Sequence, residues 1–539
     1  MSTGGAHARD PVRARRGMVV SGHPLATAAG LHVLMDGGNA VDAAIVASAV
    51  LAVVRPAWCG IGGDGFGLLY RPDVGVVALN GGGAAPLGIT PAAFPEGHVP
   101  LHGARSVAVP GLVDAWALAA SSHASRPLAD LLTPAVEYAR NGFIVDRALG
   151  RAIERVAPGL GPWPALTGLL VQDGHLLRAG DVMRQPALAE ALAAIAAQGR
   201  TAFYRGSIAL AMVETLVNRG GLLTLGDLAR HTTAWQPPLS ALYRGHLVYE
   251  QPLVSQGFIL LQELTILAGF DVRALGWSSP ELIDLLIRCK QAAFADAARY
   301  LPAVTGRGDA TAAADALERL LSPRRAATWQ TFIAARGPAA STLLATGGTD
   351  TDCLVAADGE GRLVTWIQSL AHPFGSREVC PATGILFNDR LAGLPLDPEQ
   401  PHALRPGRVP WHTLNSFIVT RDGRPILAGA TPGGTGQLQF NLQFIVDVVD
   451  FGLDVQAAAE APRWVSGSET PGDDTLYLED RFPAEFADEL ARLGHTVVSG
   501  SADDGTDRFG SATLIGLEPV SGTLSGGADP RRSAYALGW

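Results

Sequence analysis

The 539-residue sequence lacks the long apolar runs, paired cysteines and basic stretches that mark membrane, disulfide-rich and nucleic-acid-binding proteins. Its longest apolar run, residues 43–54, is too short to span a bilayer and ends at Arg55. The four cysteines show no spacing typical of a metal site or a disulfide framework. Residues 13–16 form the one basic cluster, but no apolar core follows it, which favours a solvated N-terminal tail over an export signal.

The charge balance is acidic, because 41 Lys and Arg residues face 51 Asp and Glu residues, for a net charge of −10. Nucleic acid is therefore not an expected partner. A hydrophobic content of 47% with 17% charged residues is typical of a large, well-buried globular chain. We expect a cytoplasmic protein with no membrane association.

Common catalytic and cofactor motifs are also missing. The sequence has no G-x-S-x-G nucleophile elbow and no H-E-x-x-H metal motif among its 13 histidines. His98 and His102 have i,i+4 spacing, but Pro100 between them indicates a loop. The glycine run at 60–67 follows a helix and leads into a strand, the reverse of a phosphate-binding loop. No metal and no cofactor is predicted.

Helix-like and strand-like segments alternate along the whole chain. Apolar spacing and cap residues predict helices at 24–36, 39–54, 127–141, 187–198, 279–300, 440–452 and 484–494, and a helix followed by a surface loop within 302–345. Turn residues between strand-like runs predict hairpins at 353–369 and 414–430. Helices packed outside stacked sheets are the economical arrangement for this mixture, so the predicted fold class is α+β.

The stretch TGGTDTDCLVAADGEG, residues 346–361, places two glycines and a Thr-Asp repeat directly before the first strand of a hairpin. A flexible turn is the simpler interpretation. The alternative is chemical. If the peptide bond before Thr351 is cut, its new α-amine has a pKa of about 8 and can accept the proton of the Thr351 hydroxyl.

The sequence resembles the gamma-glutamyltransferase family of N-terminal nucleophile hydrolases, nearly end to end. The matching segments, in chain order, are GMVVSGHPLATAAGLHVLMDGGNAVDAAIVASAVLAVVRPAWCGIGGDGFGLLY, VAVPGLVDAW, YRGHLVYEQP, KQAAFADAARYL, PATGILFNDR and ATPGG. The resemblance implies a four-layer αββα sandwich and a precursor that cuts itself between Asp350 and Thr351. It also implies a large subunit, 1–350, and a small subunit, 351–539, which form one folded unit.

The resemblance also implies roles for individual residues. Thr351 takes the place of the nucleophile, and its amine that of the base. Ser369 falls where the family keeps a hydroxyl beside that amine. Gly433 and Gly434 match the oxyanion-hole pair, and two glycine N–H groups can approach an oxyanion without side-chain interference.

Several departures concern the substrate. No Arg or Lys occurs from 72 to 104, where the family keeps an arginine for the α-carboxylate of a gamma-glutamyl substrate. Gly393 stands in place of the acidic residue that holds the α-amino group, and Ala371 in place of an asparagine. His412-Thr413 replaces a Ser-Ser pair. Several gamma-glutamyl contacts are therefore missing or changed.

IQSLAHPFGS, PGRVPWHTLN and PLVSQG look closer to the oxamate amidohydrolase branch of the family. We therefore predict hydrolysis of a small, oxamate-like amide. The candidate pocket residues are Gln368, His372, His412 and Thr413, each of which could instead be a structural polar residue. Asp352 either orients a substrate amine or faces solvent.

Three alternatives stay open. Gamma-glutamyl transfer or glutathione hydrolysis would need a rebuilt carboxylate site, for which Arg390 and Arg408 are candidates. A beta-lactam acylase is a second alternative. A non-catalytic binding or scaffold protein is a third, which the retained Thr351 and Ser369 argue against. Further pairing into a dimer of heterodimers is left open as well.

Overall fold

The computed structural model describes residues 9–304, 310–336, 350–400, 402–467, 473–501 and 507–539. Its strands are β1 Val12–Ala14, β2 Gly17–Ser21, β3 Asp64–Arg71, β4 Gly75–Gly81, β5 Phe143–Ile144, β6 Val171–Gln172, β7 His175–Leu176, β8 Val182–Met183, β9 Trp235–Gln236, β10 Leu239–Tyr243, β11 His246–Glu250, β12 Asp350–Asp358, β13 Leu363–Ala371, β14 Phe417–Arg421, β15 Arg424–Ala430, β16 Trp464–Ser466, β17 Leu476–Glu479, β18 Val497–Gly500, β19 Thr513–Glu518, β20 Thr523–Ala528 and β21 Tyr535–Gly538.

The seven helices predicted by residue range are all present, and further α-helices that the sequence did not predict lie between them. They are α1 Pro24–Met35, α2 Ala40–Val54, α3 Leu112–His123, α4 Leu128–Asn141, α5 Arg147–Val156, α6 Pro164–Leu170, α7 Pro186–Gln198, α8 Arg200–Tyr204, α9 Ser207–Val217, α10 Leu225–Arg230, α11 Gly257–Leu267, α12 Val272–Leu275, α13 Pro280–Val304, α14 Ala310–Leu320, α15 Pro323–Ala334, α16 Gly436–Val449, α17 Val455–Glu460 and α18 Glu485–Arg492. No helix among the described residues is long and apolar enough to cross a membrane.

Two seven-stranded sheets form the centre of the molecule. Sheet I has the strand order β21-β2-β12-β13-β3-β4-β9, and sheet II has the order β1-β20-β19-β15-β14-β11-β10. Neighbouring strands in both sheets are antiparallel. Each sheet contains strands from before and after residue 350, and in sheet I β2 lies between β21 and β12, so both parts of the chain build one unit.

The two sheets pack face to face and carry helices on their outer faces. Val355 and Leu68 of sheet I meet Ile418 and Ile515 of sheet II in a shared apolar layer. On the outside of sheet I, α2 packs against β12 and β13. Helices α11 and α16 belong to the core outside sheet II. This confirms the predicted αββα sandwich.

The predicted hairpin that begins at the Thr-Asp repeat is present as β12 and β13. Its residues alternate between two cores, because Leu354 and Ala356 pack in the core that contains α2, whereas Val355 and Ala357 face sheet II. Both strands are buried along their full length and lie in the interior of sheet I. The start of β12 is therefore held firmly.

Two expectations from the sequence were wrong. Residues 12–14 are not a solvated tail, because they form β1, which pairs with β20 and buries Ala14. The strand that follows the glycine run at 60–67 was expected too late in the chain, because β3 begins at Asp64, inside the run. The predicted surface loop before Thr351 falls largely on residues 337–349, outside the described residues.

Candidate active site

Thr351 lies at the buried start of β12 and is only 1% exposed. Its hydroxyl oxygen makes no hydrogen bond to any residue that the structure describes. Its carbonyl oxygen accepts a long hydrogen bond, 3.5 Å, from Nη1 of Arg532. A buried hydroxyl without a partner is costly in a fold, which makes it a candidate reactive group.

Ser369 contacts the peptide bond that precedes Thr351. Its hydroxyl donates to the carbonyl oxygen of Asp350 at 2.6 Å and accepts from the N–H of Ala371 at 2.8 Å. The register between β12 and β13 shifts at this point, between Asp350 and Asp352. The Ser369 hydroxyl is thus aimed at the carbonyl that an attack by Thr351 would convert to an oxyanion.

Gly433 and Gly434 follow β15, whose end lies across the sandwich from β12. Thr513 of β19 contacts both strands: its hydroxyl is 3.3 Å from the Cys353 sulfur in β12 and 3.4 Å from the Ala430 carbonyl oxygen at the end of β15. Both glycines have positive φ angles, +133° and +56°, which disfavour other residues. Neither glycine N–H donates a hydrogen bond within the described part of the chain. Both are therefore available as donors beside the start of β12.

Gln256 joins this glycine turn to the loop that carries His412 and Thr413. Its side-chain amide donates to the carbonyl oxygens of Thr413, at 2.7 Å, and of Gly434, at 3.1 Å. Its own backbone N–H donates to the carbonyl of His412 at 3.0 Å. One buried residue at the N-terminus of α11 thus fixes two loops of the site.

His412 is fully buried and hydrogen-bonded to Asp64. The distance from its Nε2 to Oδ2 of Asp64 is 3.0 Å, and its Nδ1 accepts from the N–H of Leu414 at 3.3 Å. Because Nδ1 is an acceptor, the proton of the neutral ring is on Nε2 and is donated to Asp64. Burial, and then the Arg390 cation, lower the pKa of His412 to about 4. The ring is therefore neutral at physiological pH.

Asp64 accepts hydrogen bonds from three donors among the described residues. Arg390 donates from Nε at 3.1 Å, and Gly83 from its N–H at 3.1 Å, in addition to His412. Burial alone would raise the pKa of Asp64, but these partners hold it below its usual value. Asp64 lies opposite Ser369 in the pairing of β3 with β13, which places Arg390 one strand away from the Ser369 hydroxyl.

His372 follows β13 and is oriented by Asp389. Its Nδ1 is 2.7 Å from Oδ2 of Asp389, and its backbone N–H donates to Oδ1 at 3.0 Å. His102 lies nearby, 4.0 Å from the same carboxylate, and its Nδ1 is 3.2 Å from the Gly375 carbonyl oxygen. Burial, followed by the charge of Arg377, lowers the pKa of His102.

The structure does not bring Gln368 and Asp352 together with the Thr351 hydroxyl. The Gln368 amide bonds Ser48 of α2 and lies 3.3 Å from the Cys59 sulfur. Asp352 does not face solvent as one interpretation had it, because it is 3% exposed and accepts from Nε of Arg55 at 2.8 Å. Both side chains are engaged by the helix layer outside sheet I.

Sequence reasoning missed three residues of this site: Asp64, Gln256 and Arg532. Asp64 carried a usable signal, since it is the only charged residue from 56 to 70. A lone charge in an apolar, glycine-rich stretch requires a buried partner. Gln256 and Arg532 carried no comparable signal, because their contacts join segments more than 150 residues apart.

The gamma-glutamyltranspeptidase family model matches residues 26–539 of the chain. A glutathione hydrolase-like YwrD proenzyme of Bacillus subtilis (strain 168) is 36% identical over 97% of this chain and 98% of that protein. An oxamate amidohydrolase proenzyme of Klebsiella pneumoniae is 31% identical over 97% of this chain and 98% of that protein.

A crystal structure of a cephalosporin acylase from Bacillus halodurans superimposes with a TM-score of 0.90, at 33% identity, over 100% of this chain and 98% of that one. The match therefore covers both sheets, both helix layers and the buried start of β12. The chain belongs to the gamma-glutamyltranspeptidase family and is an N-terminal nucleophile enzyme that acts on amide bonds.

Proposed function

We propose that the chain is a precursor that cuts itself between Asp350 and Thr351 into subunits 1–350 and 351–539. The observation that carries this proposal is the 2.6 Å hydrogen bond from the Ser369 hydroxyl to the Asp350 carbonyl. That bond polarises the one carbonyl that the adjacent Thr351 hydroxyl must attack. Cleavage then frees the α-amine that serves as the base in later turnovers.

In the mature enzyme, Thr351 attacks the amide carbonyl of a substrate and forms an acyl-enzyme ester. The N–H groups of Gly433 and Gly434 stabilise the oxyanion. Gln256 holds this glycine turn in place through its hydrogen bond to the Gly434 carbonyl. Water then releases the acid product. Removing one such donor costs about 100- to 1,000-fold in rate in comparable sites.

The proposed substrate is a small amide that carries a carboxylate, as oxamate does. Support comes from Arg390, a 3% exposed cation one strand from Ser369, whereas Arg408 is exposed. We keep His372, His412 and Thr413 as candidate pocket residues, because His412 shares Asp64 with Arg390, Gln256 joins Thr413 to the glycine turn, and His372 follows the strand that carries Ser369. We assign Gln368 and Asp352 to support of the strands rather than to substrate contact, because α2 and Arg55 already bind them.

A second candidate is hydrolysis of a beta-lactam side-chain amide, or of glutathione. The full-length similarity to a cephalosporin acylase and to a glutathione hydrolase-like protein supports these alternatives. The absence of any Arg or Lys from 72 to 104 argues against the gamma-glutamyl alternative.

A denaturing gel with N-terminal sequencing tests the cleavage. We expect two fragments, the smaller one beginning TDCLVAAD, and a single uncut band for Thr351→Ala. An uncut wild-type chain would favour the scaffold alternative. A Thr351→Ala chain that is still cut would show that the nucleophile is misassigned.

A substrate panel tests specificity in the matured enzyme. We expect ammonia release from oxamate to exceed turnover of gamma-glutamyl-p-nitroanilide and of cephalosporin side-chain amides. Arg390→Gln should raise KM for oxamate more than it lowers kcat. Faster turnover of the gamma-glutamyl substrate would overturn the substrate assignment while leaving the cleavage intact.

A further inference from the structure

Self-cleavage needs a proton acceptor that the mature site cannot provide. In the uncut chain the nitrogen of Thr351 belongs to a peptide bond, so its lone pair is delocalised and does not accept the hydroxyl proton. A Thr hydroxyl is a poor nucleophile without a base. This inference rests on the proposed cut between Asp350 and Thr351.

The side chain nearest along the chain to the bond that breaks is that of Asp350. The residue is 4% exposed, and its carbonyl is held by Ser369. In a regular strand, neighbouring side chains point to opposite faces. Here the register shift between Asp350 and Asp352 interrupts that alternation beside Ala371, which has a φ of +87°.

A compact group of charges surrounds the same bond. Arg532, in the loop after β20, donates to the Thr351 carbonyl, and its Nε lies 3.2 Å from Oδ1 of Asp507. Arg155 of α5 lies 3.4 Å from the other oxygen of Asp507. The Asp350 carboxyl interacts electrostatically with Arg532, Asp507, Arg155 and His372. Because Arg532 touches Thr351 and acts on Asp350, the two residues share one buried environment.

We propose that the Asp350 carboxylate is the proton acceptor for self-cleavage. As the Thr351 oxygen bonds to the Asp350 carbonyl carbon, its proton passes to the Asp350 carboxylate. The carbon–nitrogen bond then breaks, and the same proton moves to the Thr351 nitrogen, which becomes the free amine. Water hydrolyses the resulting ester, which restores the Thr351 hydroxyl and leaves a new α-carboxylate on Asp350.

The electrostatics suit this role. Burial raises the pKa of Asp350 to about 7, opposed chiefly by Arg532. Asp507 raises the pKa further, whereas Arg155 and His372 lower it. A base with a pKa near the working pH combines a sizeable ionised fraction with good proton affinity. An ordinary exposed aspartate, with a pKa near 3.9, would be a much weaker proton acceptor.

The test measures the rate of self-cleavage in pulse-labelled full-length chain from cell-free synthesis, chased between pH 5 and 9 and resolved on denaturing gels. For the wild type we expect the rate to rise with pH, with a midpoint near 7. Asp350→Asn should be at least about 100-fold slower and should lose this midpoint, because general bases contribute that much or more. Asp350→Glu, which keeps a carboxylate, should recover part of the rate.

Two variants test the proposal without changing Asp350. Arg532→Gln removes a cation that lowers the pKa of Asp350, so the midpoint should move to higher pH. Asp507→Asn removes a neighbouring anion, so the midpoint should move to lower pH. A merely structural role for these residues would change the rate without moving the midpoint in opposite directions.

The outcomes separate this proposal from the cleavage itself. Asp350→Asn cleaving at the wild-type rate, with an unchanged midpoint, would overturn the role of Asp350 alone. A pH profile that survives Asp350→Asn but is lost in His372→Asn would assign the proton to the imidazole instead. A wild-type chain cut elsewhere would overturn the proposed cleavage site as well.

Discussion

Two buried groups of charged residues lie on opposite sides of sheet II and differ in how they are satisfied. The site cluster is Asp64, His412 and Arg390, in which Asp64 accepts three hydrogen bonds. The helix cluster is Glu263 of α11 and Lys290 of α13, where the Glu263 carboxylate accepts no hydrogen bond from the described residues. Lys290 donates instead to the carbonyl of Ser466 at 2.9 Å.

The pKa values show the effect of this difference. Burial acts on both acids in the same direction, but the donors around Asp64 hold its pKa below the usual value. Without donors, burial raises the pKa of Glu263 to about 8, opposed only by Lys290. Of these two buried carboxylates, the hydrogen-bonded one therefore stays ionised, and the fixed charge lies at the candidate site rather than at Glu263.

Breaking the site cluster should have the largest effect on stability and activity together. Asp64→Asn removes the negative charge that Arg390 and His412 bind, and breaking such a buried ion pair should cost about 3–5 kcal/mol of stability. We expect kcat/KM of the cut enzyme to fall at least about 100-fold, because His412 and Arg390 lose their common anchor. Thermal unfolding and steady-state kinetics measure both effects. Asp73→Asn, which breaks an exposed pair with Arg71, is the control and should change neither.

Gln256 lies between the two clusters, at the start of the helix that carries Glu263. Gln256→Ala removes the amide that holds the Thr413 and Gly434 carbonyls, so the oxyanion donors lose their fixed position. We expect kcat to fall about 10- to 100-fold with little change in KM. Gln172→Ala is matched, since Gln172 also bridges two carbonyls but far from the site. An unchanged kcat would remove the glycine turn from the mechanism.

Relieving the helix cluster should have the smallest effect on activity, and it should be stabilising. The folded pKa of Glu263, about 8, lies above the unfolded value near 4.3, so the folded state binds more protons in between. The free energy of unfolding therefore falls as pH rises from about 4.3 to 8.

Glu263→Gln removes this loss. We expect a gain of as much as about 4–5 kcal/mol at pH 8 and none near pH 4.5, with kcat and KM unchanged, measured by thermal unfolding across that range and by steady-state kinetics. Glu318→Gln, on an exposed face of α14, is the control. A gain that is equal at both pH values would mean that the effect is one of packing rather than of charge.

The fold was predictable because its signals are local or span complete motifs. Turn residues and alternation gave the β12–β13 hairpin, and the capping pattern gave α13, with Ser279 bonding the N–H of Leu282 at 3.1 Å. The Thr351 prediction depended on the glycine turn before it and on ordered matches along the chain. Such patterns can be recognised without knowing any distance in the folded structure.

The rest of the site depends on contacts between distant segments. Asp64 and His412 are separated by 348 positions, and nothing near His412 in the sequence indicates that its ring is already hydrogen-bonded. Asp352 likewise has its partner, Arg55, at a separation of 297 positions. The sequence shows which residue types are present at these positions. It does not show which partner each side chain binds, and therefore not whether that side chain is available to bind a substrate.

The presence of strands from both parts of the chain in each sheet has a consequence for refolding. β2, from before the cut, lies between β21 and β12 in sheet I, so a cut before Thr351 leaves two polypeptides whose strands are interleaved. They cannot separate without opening the central sheet. Unfolding the cut enzyme turns a one-chain reaction into an encounter between two chains, so recovery after denaturation becomes concentration-dependent. The kinetic stability of the mature enzyme is then set by its unfolding rate.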